Sequence, residues 1–142
     1  MNKQKRLKFL AELISSKKIK TQEELVISLK EEGFDVTQAT VSRDVSELGL
    51  GKDSDQSYIL PKEKVLKDQL KAMAGDILVS GNIVVIKTQA GAAQAIGLSL
   101  DNVKWPQIIG TVAGDDTILA VVKEGLNPKE IAGRLDNLKE RQ

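Results

Sequence analysis

The chain has 142 residues, room for one ordinary domain or two small ones, and its 21 basic and 20 acidic side chains select no partner class by total charge. Cysteine and histidine are absent, which removes disulfides, thiolate nucleophiles, zinc sites of the usual ligands and histidine-based acid–base or triad chemistry. No apolar run approaches the roughly 20 residues that span a bilayer, and the basic start Met1 to Arg6 leads into an amphipathic pattern rather than a secretion signal, so a cytoplasmic protein without a membrane partner is expected.

Residues 1–20 hold Lys3, Lys5, Arg6, Lys8, Lys17, Lys18 and Lys20 against Glu12 alone, a run that suits a polyanion and equally a solvated helix face. Leu7, Leu10, Ala11 and Ile14 recur at helical spacing and predict a first amphipathic helix. Thr21 and Glu24 have capping-box spacing for a second, with Leu25, Val26 and Leu29 on its apolar face and Gly33 at its end. Thr37 is placed to cap a third, striped by Val41, Val45 and Leu48 and ended by Gly49 and Gly51. Ser57 to Leu60 reads as a short strand before Pro61. Three short helices and a hairpin predict a winged helix-turn-helix over residues 1–61.

Residues 62–75 are charged, with a weak stripe of Val65, Leu66, Leu70 and Met73, and read as a linker with helical tendency. Strands follow at Ile77 to Val79 and Ile83 to Ile86 around Ser80-Gly81-Asn82, then a helix from Gly91 to Leu100. Two more strands, Ile108 to Val112 and Ile118 to Val122, flank Ala113-Gly114-Asp115-Asp116, and Asn127-Pro128 opens a last helix. Residues 76–142 are therefore expected as a second domain of order ββαββα, giving an α+β fold with helices on one face of an antiparallel sheet.

On a helical wheel, Ala39, Ser42, Arg43 and Ser46 project away from the Val41 stripe, with Gln38 and Thr40 near the edges. Small residues around one arginine suit entry into a DNA groove, where arginine grips guanine with two hydrogen bonds. A surface pair of Arg43 with Glu47 is the plainer alternative. The run Thr37-Gln38-Ala39-Thr40-Val41-Ser42-Arg43-Asp44, followed by Glu47-Leu48-Gly49-Leu50, closely resembles the recognition helix of the bacterial arginine repressor family. That resemblance implies binding of double-stranded operator DNA through Ser42 and Arg43, supported by Gln38 and Thr40.

The segment Ala113-Gly114-Asp115-Asp116-Thr117 has the composition of a turn. Its adjacent carboxylates also suit a guanidinium, or a divalent metal. Together with Gly91-Ala92-Ala93-Gln94-Ala95-Ile96-Gly97, it looks like the effector domain of the same family. The resemblance implies L-arginine as corepressor, held by Asp115 and Asp116 where two trimers meet in a hexamer, with Gln94 and Asp101 as further contacts. Gln94 and Asp101, seven apart, share one helical face. Trp105 reads as a core or interface anchor rather than a ligand stacker. The expected function is an arginine-responsive regulator of arginine metabolism genes, a homo-oligomer (trimer or hexamer) with no other cofactor, no metal and no catalytic residues. The alternative is a family regulator with altered or no arginine response, acting with a paralogue. A magnesium-dependent enzyme on Asp101, Asp115 and Asp116 is disfavoured, because no positioned base or nucleophile accompanies them.

Overall fold

Asn2 opens helix α1 (Lys3–Ser16) by accepting the Gln4 amide on its side-chain oxygen at 2.8 Å. The computed structural model describes residues 2–140, so Met1, Arg141 and Gln142 of the two expected domains lie outside the described residues. Thr21 caps α2 (Gln22–Glu31), accepting the Glu24 amide at 3.2 Å. Its hydroxyl donates to the Glu24 carboxylate at 3.3 Å, so the capping box closes side chain to side chain. Gly33, at φ 99°, ends α2, with the Phe34 amide reaching back to the Leu29 carbonyl at 2.9 Å. That turn directs the chain into α3 (Gln38–Leu48), capped by Thr37.

The apolar stripes of these helices meet in one core of Leu10, Ile14, Ile19, Leu25, Leu29, Val36, Val41 and Tyr58, with Phe9 and Phe34 tilted together 5.9 Å apart beside it. A short hairpin follows, β1 (Gly51–Lys52) pairing antiparallel with β2 (Tyr58–Ile59). The Tyr58 amide donates to the Ile19 carbonyl at 2.8 Å and ties the wing to the core. This is the winged helix-turn-helix expected from the sequence.

The chain divides into two compact units, the first reaching Lys64 and the second starting at Val65. The stretch expected as a linker forms helix α4 (Pro61–Met73), with proline at its first position, Glu63 in the first turn and Lys71 in the last. Proline needs no amide partner there, and both charges complement the helix dipole.

The second unit holds β3 (Ala74–Ser80), β4 (Ile83–Thr88), α5 (Ala93–Val103), β5 (Ile108–Ala113), β6 (Thr117–Val122) and α6 (Pro128–Glu140). The strands form an antiparallel sheet in the order β3-β4-β6-β5. Val84, Ile86, Ile118, Ala120 and Val122 are buried on one face, as are Ile96 and Leu100 of α5 and Ile131 and Leu135 of α6, the two helices packing on the sheet. The opposite face carries an apolar row in register, Leu78, Val85, Leu119 and Val112, with Leu78, Leu119 and Val112 exposed. The ββαββα order matches the sequence expectation.

Gly49 ends α3 at φ 67°, and the Leu50 amide returns to the Val45 carbonyl at 3.1 Å. A Cβ there would be strained by the left-handed backbone and would lie 3.4 Å from the Pro61 ring. Gly51 has no such constraint, its Cβ direction being open. Gly49→Ala is expected to lower unfolding free energy by about 1 kcal/mol, and Gly51→Ala to leave it nearly unchanged, as read from urea midpoints.

Candidate functional site

The Thr37 oxygen accepts the Thr40 amide at 3.3 Å, and the two threonine hydroxyls lie 3.3 Å apart, so Thr40 is half-buried and engaged in the cap. Gln38, Ser42 and Arg43 are exposed, as are Ala39 and Ser46, and Val41 on the opposite side is buried. Glu47 does not take up Arg43. Lys3 holds it instead, at 3.0 Å, and among the described residues Arg43 forms no ion pair.

Asp44, next to Arg43, is buried, and Arg6 of α1 closes on it with two bonds: Nε donates to Oδ2 at 2.6 Å and Nη2 to Oδ1 at 3.0 Å. Planar guanidinium and carboxylate match in this fork-to-fork arrangement. Hydrogen bonding to Asp44 holds the Arg6 guanidinium above its ordinary pKa, against the opposing effect of burial and with support from the charges of Asp44 and Glu47. Lys3 and Arg6 on α1 thus meet Glu47 and Asp44 on α3, each pair one helical turn apart. The basic N-terminal run is therefore partly consumed inside the protein. Lys18 also has an acidic partner, Asp55 in the wing, at 3.4 Å. Lys52 of the wing lies 4.1 Å over the Tyr58 ring and donates to the carbonyls of Lys20 and Gln56.

In the second unit, the loop between β5 and β6 closes through the Gly114 amide, which donates to the Thr117 carbonyl at 2.9 Å. Helix α5 begins after Ala92, which has no side chain able to cap it. The loop makes good that lack: the Asp115 carbonyl accepts the amides of Gly91 at 3.0 Å and Ala93 at 3.2 Å. The Asp116 carbonyl accepts the Thr88 amide at 2.9 Å. With the backbone so tied, the side chains of Asp115 and Asp116 are exposed at the end of α5 that also carries the exposed Gln94. Lys87 Nζ donates to Thr117 Oγ1 at 2.5 Å, and that hydroxyl donates to Asp116 Oδ1 at 3.0 Å.

Asp101 lies elsewhere. Two turns along α5, about 10 Å from Gln94, it accepts the Thr111 hydroxyl at 2.7 Å. There it helps line an open cleft of about 560 Å³ with Lys104, Trp105, Ile109, Gly110 and Thr111. The structure therefore brings Asp115, Asp116 and Gln94 to one end of α5 and leaves Asp101 at the other. Among the described residues no three carboxylates converge as a metal-holding group. Trp105 is buried, with the Arg134 guanidinium 4.0 Å over its ring, an anchor in the core of its unit.

Sequence reasoning missed Arg6 with Asp44, and Thr111 with Asp101. Asp44 carried a signal, lying about 60° around the helix from the Val41 stripe; its partner, 38 positions away, carried none. At Gly97 of α5 a Cβ would stand 3.2 Å from that of Ala113, so its absence lets α5 lie close on β5 beside the acidic loop.

Two family profiles cover the chain: "Arginine repressor, DNA binding domain" matches residues 1–66, and "Arginine repressor, C-terminal domain" matches residues 70–137. Among curated relatives, the arginine repressor of Carboxydothermus hydrogenoformans is 46% identical, covering 93% of this chain and 95% of the relative. That of Syntrophomonas wolfei is 47% identical over 87% and 84%. That of Halothermothrix orenii is 44% identical over 97% and 99%. No helix among the described residues is long and apolar enough to cross a membrane. With both halves matched in order and relatives of this identity aligned along nearly its whole length, the chain belongs to the arginine repressor family.

Proposed function

We infer that the protein is a transcriptional regulator that reads operator DNA through α3 and responds to L-arginine through the acidic loop. The observation that carries the reading is the exposed face of α3. Gln38, Ser42 and Arg43 stand free on it, and the acid beside Arg43 is already neutralised by Arg6. An arginine on such a face reads guanine in the major groove, with serine on phosphate or base edges. Thr40 contributes chiefly by capping the helix.

Asp115 and Asp116 supply the guanidinium's partners, two like charges whose repulsion a planar five-donor cation relieves. Gln94 and Asp101, on one face of α5, supply further polar contacts, and a second copy of the chain completes the site. The exposed row of Leu78, Leu119 and Val112 supports self-association, since apolar sheet faces of this kind mark interfaces. The assembly is a trimer or hexamer, and its place is the cytoplasm. Arginine strengthens operator binding only as far as it prefers the DNA-competent state, and DNA must raise arginine affinity by the same factor. No catalytic step is assigned to any residue.

Each part has its own test. Arg43→Ala should cost about 1–3 kcal/mol of discrimination between operator and random duplex at fixed salt, with an unchanged arginine titration; retained discrimination removes α3 from the reading role. Asp116→Asn should keep the fold, since its backbone bonds remain, and abolish the arginine dependence of operator binding. Calorimetry against arginine, ornithine, citrulline and lysine reads that loss and identifies the effector; a wild-type titration from the mutant refutes the site. Val112→Asp should lower the sedimenting mass at unchanged helix content, and an unaltered oligomer would place the interface elsewhere.

A further inference from the structure

Resting on the DNA-reading role of α3 given above, we propose that Arg6 and Asp44 form a positioning clamp that sets the rotation of α3 about its axis and so aims Arg43 into the groove. Arg6 is a positioning residue and not a phosphate contact. Both donors of its fork that reach Asp44 are committed, at 2.6 and 3.0 Å, and its side chain is 14% exposed.

The geometry follows from adjacency. Successive residues on a helix lie about 100° apart, so fixing Asp44 against α1 fixes the direction of Arg43. Side-chain tips stand about 5–6 Å from the axis, so a rotation of about 10° displaces them by roughly 1 Å. That shift exceeds the tolerance of a hydrogen bond to a base edge. The Val41, Val45 and Leu48 stripe resists such rotation only softly, because dispersion contacts are numerous and non-directional. A two-bond fork between planar groups is directional. Lys3 with Glu47, one turn further on both helices, adds a second, exposed point on the same seam.

The test uses the full-length protein and measures affinity for operator and for random duplex of equal length across a salt series, with thermal unfolding alongside. The charge-neutral pair R6L/D44L removes the fork and leaves no buried charge unpaired. Its ratio of operator to random affinity should fall about tenfold or more, at unchanged random-duplex affinity and salt slope. A wild-type ratio would overturn the clamp. A shallower salt slope, by about 0.9 per lost contact, would make Arg6 a phosphate contact and equally overturn it. R6K keeps the charge and loses the fork, so it decides alone should the double variant fail to fold. A lower ratio supports positioning, and full discrimination by R6K shows that charge balance suffices and refutes the clamp. Arg43→Ala in the same series separates the two ideas: an unchanged ratio there sinks the reading role of α3, whereas a lower ratio there with intact clamp variants sinks only the clamp.

Discussion

A carboxylate buried in a domain of some sixty residues is tolerated only when a cation meets it with good geometry, because the cost of removing it from water is several kcal/mol. Asp44 is met in that way by Arg6. Removing one partner of such a pair typically costs about 3–5 kcal/mol, although the intact pair adds little net stability over well-packed apolar groups. Its contribution is therefore geometric. It joins the first helix to the third and leaves the opposite face of α3 unencumbered.

The same economy governs the second unit. The hairpin loop that displays two adjacent aspartates is also the source of the acceptor that starts α5. The helix has no capping side chain of its own, and the loop has no apolar residue to bury, so each settles the other's unsatisfied backbone groups. Gly97 against Ala113 keeps helix and strand near enough for the bonds from Gly91 and Ala93 to form.

Much of this was legible in the sequence, where one period dominated. Val41, Val45 and Leu48 announced α3, Thr21 and Thr37 announced their caps, and the β-branched runs announced the sheet. The segment 62–75 reads as a linker with helical tendency because its stripe of Val65, Leu66, Leu70 and Met73 is weak beside its charges, and most of it forms α4, whose first helical residue is Pro61. In the site, the exposed positions of Ser42 and Arg43 follow from the wheel, and Gln38, near the edge there, is exposed as well. Pairings such as Arg6 with Asp44, or Asp101 with Thr111, join different elements, and no local pattern encodes them. Gln94 and Asp101, seven apart, are expected on one helical face two turns from each other, and that separation puts them at opposite ends of α5.

The backbone bonds of the acidic loop carry a thermodynamic consequence. Since the carbonyls of Asp115 and Asp116 are already committed to Gly91, Ala93 and Thr88, the segment bears its loss of conformational freedom at folding rather than at ligand encounter. The loop thereby displays two adjacent, exposed aspartates on a backbone that is already fixed. On the reading proposed above, a cation bound there would meet a backbone already ordered, so its affinity would be spared the entropic penalty that a floppy loop would exact.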